Sequence, residues 1–324
     1  MRLADRRLPL SIMSDDPLAP FRSELRAHCY RMLGSFHDAE DVLQEVSIRV
    51  WRGRDGFEGR SSVRTWMHRV ATNACLNELD RKERRVLPMD LFAEAEPRET
   101  FREPDQEVLW ISPYPDDPEL GATSRESVEL AFVAALQRLP PNQRAALILF
   151  DVLGFSAAEI ATMMDTTRAA VTSTLQRARH VLTQAGPRPP SQQVALADLG
   201  ANGQRDLVAR YTAALRTHDV DGLLALLTAD ATWSMPPLRN WFRGRTPIAE
   251  FLVAAPFGVD WRHRVVRANG QLAVGCYAWD ERTGAHVAYA LDVLAIRENR
   301  IAEIVSFIDG SSFAAHALPA RLPG

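Results

Sequence analysis

Lysine, cysteine and long apolar runs are scarce in this chain of 324 residues. Arginine supplies every basic side chain except that of Lys82. The cysteines are odd in number and widely spaced, at Cys29, Cys75 and Cys276. This usage favours buried thiols over a disulfide framework or a zinc site, so we predict no metal and no cofactor.

No apolar run approaches the ~20 residues that a membrane-spanning helix needs. The N-terminal stretch carries arginines but too few consecutive apolar residues for a secretory signal. The sequence therefore predicts a cytoplasmic protein with no membrane partner.

The net charge of -3 hides an uneven distribution. Counting Lys and Arg against Asp and Glu gives +3 for residues 1–89, -9 for residues 90–129 and +3 for residues 130–190. Because the local pattern of charge decides binding, two basic segments separated by an acidic one are compatible with a nucleic-acid-binding protein.

Changes in periodicity and in proline content predict a multidomain protein, with two all-α domains followed by an α+β domain. The predicted divisions are a flexible N-terminus (1–19), a helical domain (20–87), an acidic proline-rich linker (88–127), a second helical domain (128–185), a further linker (186–202) and the α+β domain (203–318).

The stretch "FHDAEDVLQEVSIRVW" (36–51) predicts a helix with an acidic strip. At 100° per residue, Asp38, Asp41 and Glu45 fall within about 60° of one another. Apolar residues collect on the opposite side and predict core packing. The strip itself is either a solvated face or a docking surface for a basic partner.

The stretch "GFSAAEIATMMDTTRAAVTSTLQRARHVL" predicts a helix-turn-helix motif, whose second helix enters the major groove of DNA. Ser156 and Glu159 have the spacing of a capping box that opens the first helix, and the second helix begins near Thr167. An ordinary helical hairpin is the alternative. Residues predicted to face the groove or nearby phosphates are Arg168, Thr172, Ser173, Gln176, Arg177 and Arg179.

Basic and aromatic residues alternate in "FEGRSSVRTWMHRVATNACLNELDRKERR". Such interleaving suits single-stranded DNA, because the charges hold the backbone while flat groups receive unstacked bases. A solvated, charged helix end is the alternative. Trp66, at the start of an apolar stripe, is better explained as a core residue.

Taken in order along residues 20–184, these motifs and "LPPNQRAALILFDVLGFSAAEIA" resemble a bacterial sigma-70-type factor of the extracytoplasmic-function group. The resemblance implies that residues 20–87 are sigma region 2 and residues 128–185 are region 4. It implies RNA polymerase core and promoter DNA as partners, no catalytic residues and a monomer when free. In this family the "DAEDVLQEV" helix docks on the clamp helices of the largest polymerase subunit, and the flap is a further contact.

The resemblance also assigns residues to each surface. For the polymerase core it implies Asp38, Asp41, Leu43, Gln44 and Glu45. For the melted -10 element it implies Phe57, Arg60, Ser61, Arg64, Arg69, Asn73 and Arg81. For the -35 element it implies Thr167, Arg168, Thr172, Ser173, Gln176, Arg177 and Arg179.

Residues 203–309, with "TPIAEFLVAAP" before four strand-like runs, resemble the SnoaL-like, NTF2-like cone fold, which encloses a pocket. Strand alternation predicts that His286 and Asp292 share one face. A buried carboxylate there needs a partner or a role, so a satisfied Asp–Arg or Asp–Tyr pair, a ligand site and catalysis all remain open. The candidate pocket residues are Asp230, His263, Tyr277, His286, Tyr289 and Asp292.

Sigma factors with this appendage resemble a subgroup in which the extra domain regulates activity in cis. The segment "WISPYPDDPEL" is unusually apolar for a solvated tether, so we predict that Trp110, Pro113, Tyr114 and Pro115 dock on the C-terminal domain. A related subgroup carries a "DGGGK"-like motif where this chain has "DGSSF" (309–313), so that agreement is incomplete.

Two other functions stay open at this point. One is a ligand-responsive helix-turn-helix regulator that binds DNA without polymerase, for which a dimer on a palindromic site is expected. The other is a SnoaL-type enzyme tethered to DNA.

Overall fold

The structure, a computed structural model, describes residues 18–54, 57, 59, 61–96, 103–184 and 191–323. The chain divides into two compact units. The first contains Met1–Arg85 and Asp117–Arg188, and the second contains Val86–Asp116 and Pro189–Gly324. No helix in these described ranges is both long enough and apolar enough to cross a membrane.

The first unit is all helical, as predicted. Its helices are α1 (Arg22–Leu33), α2 (Phe36–Gly53), α3 (Val63–Leu79), α4 (Ala122–Glu126), α5 (Leu130–Gln137), α6 (Pro141–Leu147), α7 (Ala157–Met163) and α8 (Arg168–Gln184). A π-helical turn, Ile148–Val152, continues α6.

Short polar residues set the helix boundaries. Gly34 ends α1 with φ 69°, and the hydroxyl of Ser35 then accepts a hydrogen bond from the Asp38 N–H to begin α2. Ser156 and Glu159 form the predicted capping box of α7. Local sequence therefore fixes where the helix-turn-helix begins.

Two buried arginines join the helices of the first unit. Arg144 on α6 donates to the carbonyls of Met32 and Leu139, and Arg31 on α1 donates to the carbonyl of Ser127. Burial lowers the pKa of Arg144 to about 10, which leaves it cationic at neutral pH. Because a buried guanidinium must find acceptors for its donors, these carbonyls fix how α5 and α6 pack against α1.

The second unit is α+β, as predicted, and its sheet is mixed because β1 pairs with β6 in parallel. The helices are α9 (Gln192–Thr217), α10 (Val220–Leu226) and α11 (Arg245–Ala254). The strands are β1 (Leu227–Ser234), β2 (Trp241–Arg243), β3 (Trp261–Ala268), β4 (Gln271–Asp280), β5 (Ala285–Arg297), β6 (Arg300–Phe307) and β7 (Arg321–Leu322). Their order is β2-β1-β6-β5-β4-β3, with β7 beside β5.

Tight turns follow the sequence closely in this sheet. Asn269 and Gly270 both have positive φ and join β3 to β4, and Glu298 and Asn299 do the same between β5 and β6. Two successive residues with positive φ match the twist of the flanking strands, so the hairpins close without strain at Asn-Gly.

The linker predicted over 186–202 is wrong from residue 191 onward. The α9 helix begins at Gln192, whose side-chain amide donates to the Ile296 carbonyl and accepts from the Ile296 N–H. Leu196 is buried in the core of the sheet domain. Gly200, with φ 65°, kinks the helix and interrupts its periodicity, so the first turns do not read as part of the domain.

Candidate functional site

The acidic strip of α2 is exposed at Asp41, Gln44 and Glu45. Leu43 lies on the opposite side and is only 1% exposed, so its assignment to a docking surface is wrong. Its side chain belongs to the apolar stripe that packs into the helical core. Glu45 accepts a hydrogen bond from Arg49 one turn later, at 2.6 Å.

Asp38 is held within its own domain. One carboxylate oxygen accepts from Arg85 Nη2 at 2.6 Å, and the other lies 3.3 Å from Lys82 Nζ. The side chains of Asp38, Asp41, Glu45 and Glu78 line a small acidic groove on this face. A partner would therefore meet Asp41 and Glu45 directly and Asp38 only in competition with its ion pairs.

Several of the residues assigned to -10 DNA lie at the start and end of α3. Ser61, Arg69 and Arg81 are exposed, and Asn73 is half-buried. Phe57 packs on Trp66 with ring centroids 5.1 Å apart. Arg60 lies outside the described residues.

Arg64 is already engaged. Its Nε donates to Glu24 at 2.7 Å and its Nη2 donates to the Leu153 carbonyl at 3.0 Å, while the guanidinium lies 4.5 Å from the Phe155 ring centroid. Leu153 and Phe155 belong to the turn that precedes α7, so Arg64 ties one helical domain to the other. The assignment of Arg64 to -10 DNA stays a prediction, and in this arrangement its guanidinium already has protein partners.

Glu24 on α1 accepts the hydrogen bond that holds Arg64 of α3 in place. Burial alone would raise its pKa, but hydrogen bonds from His68 and Arg64 lower it to about 2. Glu24 therefore stays ionised, and His68 packs its ring 5.2 Å from that of Phe155. An adjacent hydrogen bond runs from Thr65 Oγ1 to Glu159 of α7, at 3.4 Å.

All seven residues assigned to the -35 element are exposed, six of them on α8. Val171, Leu175 and Ala178 form the buried side of that helix. Two arginines have local partners, since Arg177 donates to Thr174 at 3.0 Å and Arg179 donates to Asp151 at 2.6 Å. The remaining face of α8 has the form that a recognition helix requires.

The described parts of the linker, residues 86–96 and 103–116, belong to the unit that contains the sheet. The Tyr114 N–H donates to Asn269 Oδ1 at 2.9 Å, and the Asn269 N–H donates to the Tyr114 carbonyl at 2.7 Å. Pro115 forms an isolated bridge with Ala268, and Pro113 is buried. Trp110 bridges Val86 and donates from its indole to the Asp105 carbonyl, so it stabilises the segment itself.

Two further anchors were missed in the sequence. Asp105 accepts from Arg239 Nε at 2.7 Å, and its N–H donates to the Pro237 carbonyl. Trp241 donates from its indole to the Phe92 carbonyl, and its own carbonyl accepts from the Ala95 N–H. Most of these bonds involve backbone atoms, which side-chain patterns do not reveal.

A cavity of about 430 Å³ opens on one face of the sheet. Tyr289 and Asp292 line it, but Tyr277 and His286 lie on the other face. The pairing of Tyr277 with Ala288 and of Cys276 with Ala290 leaves Tyr289 as an extra residue, a bulge that shifts the alternation by one. The prediction that His286 shares a face with Asp292 is therefore wrong.

Tyr277 and His286, which were expected in the pocket, have partners on the other face of the sheet. Tyr277 packs edge-on against Phe313, and His286 lies 3.3 Å from Asp260 Oδ2. Asp230, also expected near the pocket, is exposed and ion-paired with Arg297. His263 does line the cavity.

Asp292 is buried and satisfied by neutral donors. Ser306 Oγ donates to Oδ1 at 2.6 Å, and Tyr211 Oη and Cys276 Sγ donate to Oδ2 at 2.8 and 3.2 Å. Burial raises the pKa of Asp292, although these hydrogen bonds oppose the shift. Of the alternatives left open, the arrangement is the Asp–Tyr pair, extended by Ser306 and Cys276.

Comparisons with known proteins identify three stretches of the chain with known domain families. Family models for Sigma-70 region 2, Sigma-70 region 4 and a SnoaL-like domain match residues 19–85, 129–181 and 208–304. The extracytoplasmic-function (ECF) RNA polymerase sigma factor SigG of Mycobacterium tuberculosis is 43% identical over 314 residues, covering 94% of this chain and 83% of that protein. SigJ of the same organism is 24% identical over 315 residues, covering 93% of both chains. The crystal structure of M. tuberculosis SigJ has the same fold, with a TM-score of 0.57 at 20% identity over 93% of this chain and 100% of that one.

Proposed function

Since the chain belongs to the ECF RNA polymerase sigma factors, we propose that its C-terminal domain controls it by holding the linker between its two DNA-binding domains. As a sigma factor it gives RNA polymerase promoter specificity at transcription initiation. The observation that carries the control proposal is the paired hydrogen bonding of Tyr114 and Asn269.

Polymerase docking is assigned to the exposed acidic strip of α2. Asp41, Gln44 and Glu45 are available on the surface, and a basic partner such as the clamp helices of the largest subunit complements two carboxylates. We assign -10 capture to the exposed side of α3 and the residues that follow it, which include Arg69 and Arg81, and -35 reading to α8. A contact of region 4 with the polymerase flap completes this assignment.

Control through the linker follows from where its apolar side chains lie. Ile111 and Tyr114 are each only 1% exposed, and both belong to the unit that contains the sheet. Exposing such side chains costs about 1.5–3 kcal/mol each. In this family the linker runs toward the active-site and RNA-exit path of the polymerase, so a docked linker has to be released first. Docking therefore restrains the factor.

Arg64 adds a second restraint in the same direction. Its bond to the Leu153 carbonyl links region 2 to region 4, while its bond to Glu24 stays within region 2. Arg64 is also among the residues assigned to -10 DNA. Capture of DNA by this guanidinium requires that the Leu153 contact break. The free protein is then a closed monomer that opens on polymerase.

The C-terminal domain acts as a regulator and not as an enzyme in this proposal. Asp292, its most deeply buried carboxylate, has its oxygens occupied by Ser306, Tyr211 and Cys276. A general base needs a free lone pair directed at a substrate proton. The protein acts in the cytoplasm, where its polymerase partner works.

Run-off transcription with purified core polymerase tests the control. The full chain is compared with a double variant, Asn269→Gly with Arg239→Ala, which removes one linker acceptor and one linker donor while a glycine keeps the positive φ. Asn299→Gly in the exposed β5–β6 turn is the matched control.

We expect more transcript from the double variant than from the unmodified chain and the control. Less transcript from the double variant would reverse the sign and make the docked domain an activator. Equal transcript from all three would remove the linker from the mechanism.

A further inference from the structure

The cavity of the C-terminal domain has the size and the walls of a small-molecule site. Its volume of about 430 Å³ falls within the ~300–1,000 Å³ typical of ligand pockets. Aromatic and aliphatic side chains dominate the lining, among them Trp233, Met235, Phe251, Trp261 and Tyr289. Flat rings on several sides favour a ligand that itself contains fused or linked rings.

Charge within the cavity selects against ions. Asp292 has hydrogen bonds from three neutral donors, and no lysine or arginine is present among the described residues that line the cavity. An anion would therefore be buried beside a carboxyl group with no cation to compensate it. A cation would meet two carboxyl groups, that of Glu103, which is exposed to solvent, and that of Asp292, whose oxygens already accept three hydrogen bonds.

Among the described residues that line the cavity, one buried side-chain polar atom has no hydrogen-bond partner. His263 lines the cavity from β3, opposite Cys276 on β4, and its Nε2 is buried with no hydrogen-bond partner among the described residues. Burial, with a smaller effect of the Arg216 charge, lowers the pKa of His263 to about 4. The imidazole is neutral at pH 7 and offers a single hydrogen bond to a hydroxyl or carbonyl group.

The sigma linker forms part of the cavity wall. Glu103 and Pro104 border the cavity, and the next residue, Asp105, is fixed by Arg239 and by the Pro237 carbonyl. A ligand that fills the cavity therefore touches both the sheet domain and the docked segment. Such a ligand binds only the docked state fully, and so it favours that state.

We propose that the C-terminal domain is a receptor for an uncharged, mainly apolar, ring-containing molecule with one hydroxyl or carbonyl group, and that its binding stabilises the docked linker. The claim that binding stabilises the docked linker rests on the proposed function, because it makes the ligand the signal that controls docking. The first half concerns binding alone and needs no polymerase.

Nile red, a neutral polycyclic dye with a carbonyl group, is the probe for the full chain. We expect a saturable rise in its emission, and little binding of anilinonaphthalene sulfonate, an anionic dye of similar size. Ala278→Phe fills the cavity and should abolish the rise, whereas Ala209→Phe on the exposed side of α9 should leave it unchanged. His263→Leu keeps the volume but removes Nε2, so it should weaken binding by about 2–10-fold.

Amide hydrogen exchange then measures whether ligand binding stabilises the docked linker. Nile red should slow exchange of the Asp105 N–H, which bonds to Pro237, without changing exchange in α8. Three outcomes would overturn the proposal that the domain is a receptor. They are absence of saturable binding by the full chain, equal binding of both dyes, and binding that survives both Ala278→Phe and His263→Leu.

Binding without slower exchange at Asp105 would overturn the coupling to the linker. These outcomes differ from failure of the proposed function, in which the dye binds and exchange slows but release of the linker leaves transcription unchanged.

Discussion

Tyr114 and Asn269, 155 residues apart in sequence, hold each other by two hydrogen bonds of 2.9 and 2.7 Å. Asn269 occupies the first position of the β3–β4 turn with φ 56°, and it is fully buried. One residue therefore closes a hairpin and also anchors a segment that lies between regions 2 and 4 of a sigma factor.

Replacing Asn269 with glycine should release the linker without opening the hairpin. Glycine accepts the positive φ, but the Tyr114 N–H loses its acceptor, which costs about 1–3 kcal/mol for a buried donor. We expect faster amide exchange at Tyr114 and Ile111, measured by hydrogen-exchange mass spectrometry. The same change at Asn299 should leave this segment unaltered, and a uniform increase across the sheet would indicate unfolding and contradict the anchor.

Charge reversal on α2 should weaken polymerase binding. Asp41→Arg with Glu45→Arg replaces two exposed carboxylates that we assign to a basic partner, and placing like charges opposite one another at an interface costs several kcal/mol. The affinity for core polymerase is measured by fluorescence titration. Asp206→Arg is the control, because Asp206 is exposed on α9 and pairs with Arg210 as Glu45 pairs with Arg49. Unchanged affinity of the double variant would move the docking face elsewhere.

Phe155→Ala should loosen the contact between regions 2 and 4. Phe155 packs against Arg64 and His68 but is not among the residues assigned to DNA, so its removal tests closure separately from recognition. We expect a larger radius of gyration in small-angle scattering and tighter binding to -10 single-stranded DNA. Phe150→Ala removes an exposed ring from the preceding π-helical turn and serves as the control. An unchanged radius with unchanged DNA binding would mean that the Phe155 ring is not needed for closure and that hydrogen bonds such as those of Arg64 to Leu153 and Arg144 to Met32 hold the regions together.

Local patterns predicted the helical boundaries and the strands well, because caps and turns are decided by near neighbours. Ser156 and Glu159 are three residues apart, and their capping box was predicted directly. The prediction of the pocket residues was wrong for His286 because Tyr289 is a bulge. This single extra residue reverses the faces of all later positions on β5. The contact of Arg64 with region 4 was not predicted for a different reason, since its acceptor there is the backbone carbonyl of Leu153, which leaves no trace in residue type.

The same distinction explains the linker. Its apolar character indicated docking on the C-terminal domain, but the sites of attachment are carbonyls and N–H groups of Pro237, Trp241 and Asn269. The acidity of residues 90–129 also concealed that Asp105 is neutralised by Arg239. Sequence composition described this segment as a tether, whereas long-range pairing makes it part of a domain.

The stability of the second unit should fall as pH rises from about 4.5 to 7 because of Glu303. Burial, aided by the negative charge of Asp90, raises the pKa of Glu303 from 4.5 to about 7. Between these values the folded state binds more protons than the unfolded state, so the free energy of unfolding decreases as pH increases. Below pH 4.5 both states are protonated and the penalty disappears.

Glu303→Gln should therefore be more stable than the unmodified chain at pH 8, by about 1–3 kcal/mol, and equally stable at pH 4. Urea unfolding followed by tryptophan fluorescence measures this, since five of the seven tryptophans lie in the second unit. Asp230→Asn is the contrasting control. A hydrogen bond from Arg297 lowers the pKa of Asp230, so its ionised form stabilises the fold at neutral pH and that variant should lose stability there. Because Asp90 belongs to the docked segment, the protection of the Leu87 N–H, which bonds to Asp90, should also fall above pH 7 relative to its intrinsic exchange rate in the unmodified chain but not in Glu303→Gln. A Glu303→Gln difference that is the same at pH 4 and pH 8 would assign the effect to packing and not to ionisation.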